Sequence, residues 1–142
     1  MRILGLDYGD RRIGVAVSDE LGITARGLAT IVRKGLKRDL DELERMIGAC
    51  GAEKIVIGFP VRLDGTAGIQ CEKVDRFIRA LEKRFTLPVE RWDESLSTWE
   101  AEEILSEALV NRKKRKAVVD RLAASIILQD YLNKQKKNIR SE

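Results

Sequence analysis

Three groups of acidic residues lie at positions from which carboxylates could do chemistry. Asp7 follows directly on the apolar run of a predicted first strand, and Asp93 and Glu94 follow a predicted fifth strand. Asp120 lies inside a predicted final helix. Asp7 alone would also suit a turn or a helix cap, and Asp93 and Glu94 would also suit the start of a helix, whose dipole favours acids. Position by itself therefore leaves a structural and a chemical interpretation open.

Asp120 is the most informative of these acids, because Ala123 and Ala124 follow it within about one helical turn and permit close packing of the helix on a sheet. An unpaired carboxylate that faces such a surface is strongly destabilising, so Asp120 should face water, pair with a cation or bind a metal. The nearby cations are Arg115, Lys116 and Arg121. Taken together, the three acidic groups suit a site of hard oxygen ligands for Mg²⁺ or Mn²⁺.

The chain of 142 residues contains no histidine. This excludes Ser-His and Cys-His nucleophilic pairs, histidine proton shuttles and the metal motifs that need histidine. Hydrolysis of a phosphodiester remains open, because two divalent cations held by carboxylates can activate water, hold the phosphate and stabilise the leaving oxygen. The composition therefore favours hard-metal carboxylate chemistry.

The two cysteines, Cys50 and Cys71, form no CxxC pattern and are expected to be free thiols in a reducing compartment. Targeting signals and an apolar run long enough to span a bilayer are also missing from the sequence. We therefore expect a cytoplasmic protein.

Positive charge is concentrated at the C-terminal end. Residues 111–142 hold 10 of the 27 basic residues and only 3 of the 23 acidic ones, so the formal charge of +4 is a property of this end. The densest run is Arg112, Lys113, Lys114, Arg115 and Lys116, and a basic tail follows from about residue 133. Such runs form either a solvated surface or a contact with a polyanion.

Apolar spacing predicts an α/β domain of nine elements. We predict strands over 3–7, 13–17 and 27–32, followed by a helix over 36–47 and a strand over 54–57. A loop over 58–66 then leads to a helix with an apolar face over 74–85 and to a strand over 89–92. The last two elements are a helix opened by the capping box of Ser97 and Glu100 and a final helix from about Ala117. Tight connections require three antiparallel N-terminal strands, and helical crossovers require parallel neighbours. The prediction is a mixed five-stranded sheet with flanking helices in one domain over residues 1–142.

Four motifs, in order along nearly the whole chain, closely resemble those of the YqgF (RuvX) family. They are residues 7–19 (DYGDRRIGVAVSD), 58–60 (GFP) with 64–66 (DGT), 93–98 (DESLST) and 119–124 (VDRLAA). The resemblance implies a ribonuclease H-like fold and metal-dependent carboxylate chemistry. Members of the family are described as Holliday-junction resolvases and as pre-16S rRNA nucleases.

Carried over to this chain, the resemblance implies that Asp7 is the first-strand acid and Asp120 the helical acid. The second acid lies in the pair of Asp93 and Glu94, of which Glu94 is preferred. Arg12 and the 58–66 loop with Thr66 would border a nucleic-acid cleft, although Arg12 also suits a hairpin surface and Thr66 a helix cap. The family commonly has arginine after the Asp-Glu pair, where this chain has Ser95, so one phosphate contact is in doubt.

These features together predict a metal-dependent nuclease, a hydrolase of phosphodiester bonds, with the 5′ end of precursor 16S rRNA slightly preferred as substrate. The alternatives are a Holliday-junction resolvase acting on branched DNA and a non-catalytic ribosome-assembly protein that binds nucleic acid. The acids argue against the last, because a pure polyanion binder gains nothing from carboxylates in its cleft. Expected partners are nucleic acid and ribosomal particles but no membrane, and the chain could be a monomer or a homodimer.

Neutralising Lys113, Lys114 and Lys116 tests whether the basic run binds phosphates. Each lost phosphate contact should weaken binding and flatten its salt dependence by up to about 0.9 on duplex DNA. The measurement is the slope of log binding constant against log salt concentration. An unchanged slope would identify the run as solvated surface.

Overall fold

The structure is a computed structural model that describes residues 1–60, 69–94 and 112–140, without the side chains of residues 60, 69–70, 93–94, 112–118 and 137–140. Its elements in chain order are β1 (Arg2–Tyr8), β2 (Arg12–Ser18), β3 (Ala25–Val32), α1 (Leu36–Cys50), β4 (Ala52–Pro60), α2 (Ile69–Arg84), β5 (Val89–Glu94) and α3 (Arg112–Arg140). None of the helices in these ranges is long and apolar enough to cross a membrane.

The five strands form one mixed sheet in the order β3-β2-β1-β4-β5. β1 pairs antiparallel with β2, and β2 pairs antiparallel with β3. β4 runs parallel to both β1 and β5. This confirms the predicted mixed sheet with three antiparallel N-terminal strands. The first strands are antiparallel because short connections reverse the chain, whereas the later strands are parallel because α1 and α2 carry the chain back across the sheet.

Alternating side chains give the sheet two buried faces. Leu4 and Leu6 of β1 belong to one cluster with apolar residues of α1 and α2. Ile3 of β1 belongs to a second cluster with Ala124 and Leu128 of α3. Since successive side chains of a strand point to opposite faces, even-numbered positions of β1 face α1 and α2, and odd-numbered positions, Asp7 among them, face α3.

Glycines let α3 lie directly on the sheet. A Cβ atom added at Gly14 of β2 would lie 1.9 Å from the backbone oxygen of Asp120, and one added at Gly5 of β1 would lie 2.8 Å from Cβ of Leu128. Ala123 and Ala124 of α3 are fully buried, as their small side chains predict. The strand glycines, which have no side chain, and the two alanines of the helix therefore set the distance between α3 and the sheet.

The predicted loop over 58–66 is wrong at its start, because β4 continues through Pro60. Gly58, Phe59 and Pro60 pair with residues 92–94 of β5. The pairing of β4 with β1 ends at Ile57, so among the described residues this last part of β4 pairs only with β5. A proline without a backbone N–H is tolerated there. Residues 61–66, including Thr66, lie outside the described residues, as does the helix predicted after Ser97.

Element ends also differ from the predictions. α3 begins at Arg112 rather than near Ala117, because lysine and arginine are good helix formers although they carry no apolar signal. α3 also continues through Arg140, so the predicted basic tail is helical over residues 133–140. α1 passes through Gly48 and is capped by Gly51, whose left-handed backbone (φ 70°) lets its N–H bond the oxygen of Ile47.

Gly14→Ala tests the close approach of α3. The added methyl group would meet backbone rather than a flexible side chain, so we expect a loss of about 3 kcal/mol or more in the free energy of unfolding, measured with urea. The matched control is Gly48→Ala, because Gly48 lies in α1 with no atom within 4 Å of an added Cβ. This control should be neutral or stabilising by up to about 1 kcal/mol. Equal stabilities of the two variants would show that α3 does not press on β2.

Candidate functional site

Asp7 and Asp120 lie on the same face of the sheet, although they are far apart in the sequence. Asp7 is the Cα partner of Gly14 across the β1 and β2 pair. The backbone of Asp120 lies directly over that glycine. The Cα atoms of paired residues on neighbouring antiparallel strands are only about 4.5–5.5 Å apart. Asp7 and Asp120 are therefore both adjacent to Gly14, one beside it in the sheet and the other above it in α3.

Asp120 forms an ion pair with Arg12 of β2. Arg12 Nε donates to Asp120 Oδ2 at 2.6 Å, and the two side chains are 30% and 20% exposed. Asp120 was expected to face water, pair with a cation or bind a metal, and the structure shows it paired with a cation. That cation, Arg12, is a residue predicted to border the nucleic-acid cleft. A signal for the pair was present in the sequence, since Arg12 and Gly14 share the strand parity that faces α3.

The turn between Asp7 and Arg12 is held by contacts that the sequence analysis missed. Gly9 N–H donates to Arg12 O at 2.9 Å, which closes the hairpin. Arg33 Nη1 donates to the backbone oxygens of Gly9 and Asp10 at 3.2 and 3.1 Å. Asp39 of α1, only 1% exposed, is paired with Arg33 at 3.5 Å. The signal available in the sequence was an acid in the first turn of a predicted helix, shortly after a basic residue at the end of a strand.

A second polar cluster fixes α3 to the other half of the sheet. Lys54 of β4 lies 2.6 Å from the hydroxyl oxygen of Tyr131 in α3 and 2.6 Å from the carboxylate of Glu90 in β5. Tyr131 in turn donates to Glu90 at 2.8 Å. The hydrogen bond from Lys54 lowers the pKa of the Glu90 carboxyl, burial opposes this shift, and the hydrogen bond from Tyr131 adds to it. α3 is thus fixed at Tyr131 as well as at Asp120.

The remaining predicted site residues are described by backbone only or lie outside the described ranges. Asp93 and Glu94 end β5, where they pair with Phe59 and Pro60. The five cations Arg112, Lys113, Lys114, Arg115 and Lys116 form the first turns of α3. Among the side chains that the structure describes, no three histidine, cysteine or acidic residues form a group that could hold a metal ion. The structure therefore brings together two of the expected acids, Asp7 and Asp120.

Comparison with known proteins places the chain in a family. A family model described as "RuvX: Holliday junction resolvase" matches residues 1–134. A protein of Syntrophus aciditrophicus named "Putative pre-16S rRNA nuclease" is 60% identical over 133 residues, which cover 94% of this chain and 89% of that protein. A protein of Halothermothrix orenii with the same name is 55% identical over 137 residues, 96% of this chain and 98% of that protein.

Two solved structures with a similar fold are complexes of resolvases with Holliday junctions. One is described as "T. thermophilus RuvC in complex with Holliday junction substrate", with a TM-score of 0.54, 16% identity and coverage of 96% of each chain. Another is the Fowlpox virus resolvase with its substrate junction DNA, with a TM-score of 0.55, 12% identity and coverage of 95% of this chain and 99% of that one. At these identities the likeness shows the fold alone, and it confirms the predicted ribonuclease H-like architecture.

Glu90→Gln tests whether the contacts of Glu90 with Tyr131 and Lys54 stabilise the packing of α3 on the sheet, through the pH dependence of stability. Because folding lowers the pKa of Glu90 from its ordinary value of 4.5, its contribution to stability is complete above that pH and is lost as the pH falls through the lowered value. The free energy of unfolding, measured against pH, should therefore fall less steeply in acid for Glu90→Gln than for the wild type. Glu53→Gln, at an exposed glutamate of β4, is the matched control and should follow the wild type. Identical acid slopes for wild type and Glu90→Gln would contradict this role of the Glu90 contacts.

Proposed function

The chain belongs to the RuvX family, and from this membership we propose that it is a nuclease that hydrolyses phosphodiester bonds at the 5′ end of precursor 16S rRNA. Curated relatives that are 50–60% identical along almost the whole chain carry the name "Putative pre-16S rRNA nuclease". The proposed enzyme is a single ribonuclease H-like domain over residues 1–142, acting in the cytoplasm on RNA or on ribosomal particles that carry it. Cys50 and Cys71 form no disulfide with each other, which suits that reducing compartment.

The observation that carries the proposal is the placing of Asp7 beside Asp120 through Gly14. Two carboxylates on one face of the sheet offer the hard oxygen donors that Mg²⁺ or Mn²⁺ prefers. For the third donor we propose Glu94 rather than Asp93. Position 94 has the same parity as Glu90, which bonds Tyr131 of α3, whereas position 93 has the opposite parity.

Each part of the chain has a task in this hydrolysis. Asp7, Glu94 and Asp120 would hold Mg²⁺ or Mn²⁺, which when bound supplies water activation and stabilisation of the leaving oxygen. Arg12 and Thr66 would border the cleft that receives the scissile phosphate. The cations of residues 112–116 would bind the phosphate backbone beside it, since they begin the same helix that carries Asp120. These contacts recognise phosphate geometry, so the choice of nucleic acid needs its own test.

A Holliday junction is the second candidate substrate, favoured by the description of the matching family as a resolvase. Four-way junctions suit a symmetric dimer, and a dimer is therefore expected if branched DNA is cleaved. A third possibility, a ribosome-assembly protein that binds RNA without cleaving it, predicts binding with no turnover.

Asp7→Asn and Asp120→Asn should each reduce cleavage by at least about 100-fold. Replacing a residue that only hydrogen-bonds a metal ligand already lowers metal affinity or activity by about 10–100-fold. The assay compares a precursor 16S rRNA 5′ end with a four-way DNA junction, each with Mg²⁺, Mn²⁺ or a chelator. Asp130→Asn is the matched control, since Asp130 is an exposed aspartate of the same helix, and it should cleave like the wild type. Circular dichroism verifies that the variants are folded.

The outcomes separate the three candidate functions. Cleavage of the rRNA alone supports the proposal, cleavage of the junction alone replaces it with a resolvase, and binding without cleavage of either replaces it with an assembly protein. Undiminished cleavage by purified Asp7→Asn would reject the carboxylate site.

A further inference from the structure

Arg12 and Asp120 each have a task in the proposed site, yet the structure shows them engaged with each other. Asp120 is to hold a divalent cation, and Arg12 is to border the phosphate. Arg12 Nε donates to Asp120 Oδ2 at 2.6 Å, and this oxygen is one of the two that Asp120 can offer to a cation. A divalent cation that binds Asp120 at Oδ2 therefore competes with Arg12 for the same carboxylate oxygen.

The contact is built from a single hydrogen bond of the guanidinium. Only Nε of Arg12 reaches Asp120, and its terminal nitrogens have no hydrogen-bond partner within the described part of the chain. A guanidinium that binds a carboxylate in the stronger way uses two parallel N–H groups. Both side chains are also partly exposed, so water can replace either partner. The pair is accordingly one that another ion can displace.

The backbone of Arg12 is held independently of its side chain. Its oxygen accepts the hydrogen bond from Gly9 N–H, and its Cα partner in β3 is Val32. Asp120 is held over Gly14 by the packing of α3. Exchange of the ion pair thus requires a change of the Arg12 rotamer and no movement of strand or helix.

We propose that Arg12 is the resident counter-cation of Asp120, which a divalent cation displaces, and that the released guanidinium then binds a non-bridging phosphate oxygen of the substrate. This inference rests on the proposed function of the site. Like charges a few ångströms apart repel, so a divalent cation on Asp120 expels the guanidinium from its place. An anionic phosphate entering the cleft supplies the new partner, to which the planar fork of arginine is well suited.

The exchange predicts opposite effects of one substitution on metal binding and on cleavage. In Arg12→Gln the competing cation is gone, and Mn²⁺ should bind about fivefold more tightly, the upper range expected from an ion pair at this exposure. Cleavage efficiency should fall about tenfold or more, because the phosphate contact is lost. Arg12→Lys keeps the charge and should bind Mn²⁺ nearly as the wild type does.

The experiment measures Mn²⁺ affinity of the full chain by electron paramagnetic resonance, with cleavage assayed on the same preparations. Arg11→Gln is the matched control, since it removes an exposed cation one residue away, in the turn before β2, and it should change neither value. In parallel, Mg²⁺ is titrated while the Nε–H resonance of Arg12 is followed by NMR, assigned as the signal missing from Arg12→Lys. That resonance should shift as Mg²⁺ binds.

Tighter Mn²⁺ binding with weaker cleavage in Arg12→Gln, together with the shift of the Nε–H resonance, supports the exchange. Unchanged or weaker Mn²⁺ binding in Arg12→Gln, or an Nε–H resonance that does not shift when Mg²⁺ is added, overturns the exchange. If Arg12→Gln fails to fold, the Nε–H resonance of the wild type decides alone. The proposed function fails in a different way. In that case wild-type protein binds no Mn²⁺, or binds it equally well in Asp7→Asn and Asp120→Asn.

Discussion

The contact of α3 with the sheet at Gly14 is the constraint on which the rest of the structure depends. No side chain separates β2 from the backbone of Asp120 there, so the helix axis, the height of the helix above the sheet and the place of its carboxylate are set together. Gly5 repeats the arrangement one strand away, and Ala123 and Ala124 complete it from the helix side. Close packing of this kind leaves few alternative positions, because an interior at crystal-like density accommodates extra atoms only by moving its neighbours.

The polar contacts divide between those that hold this arrangement and one that can be exchanged. Tyr131, Lys54 and Glu90 join α3 to β4 and β5, and Arg33 holds the hairpin turn between the two strands that carry Asp7 and Arg12. These groups satisfy each other on rigid elements, as a preorganised site requires. The pair of Arg12 and Asp120 differs because, among the described residues, it rests on the single hydrogen bond from Arg12 Nε, so a small ion or a phosphate can compete for either partner.

Much of the fold could be predicted from patterns of apolar residues. The hairpin of β1 and β2, the mixed order of parallel and antiparallel strands and the two crossover helices follow from local spacing and from the length of connections. The predictions failed where local signals conflicted with pairing or packing. Gly58 and Pro60 indicate a loop, yet β5 holds them in a strand. The cations from Arg112 onward hide the start of a helix whose first apolar residues in sequence are Ala117 and Val118.

The sequence by itself determined which chemistry was open to this protein. The absence of histidine, the acids at Asp7 and Asp120 and the basic C-terminal end are properties of residue type, and residue type sets charge and ligand hardness before any folding. Only the tertiary structure decided that Asp7 and Asp120 are neighbours and that Arg12 neutralises the second of them. The physical reason is that these contacts join β1, β2 and α3, whose relative positions come from strand register and close packing, and neither quantity is encoded in the local spacing of any one segment.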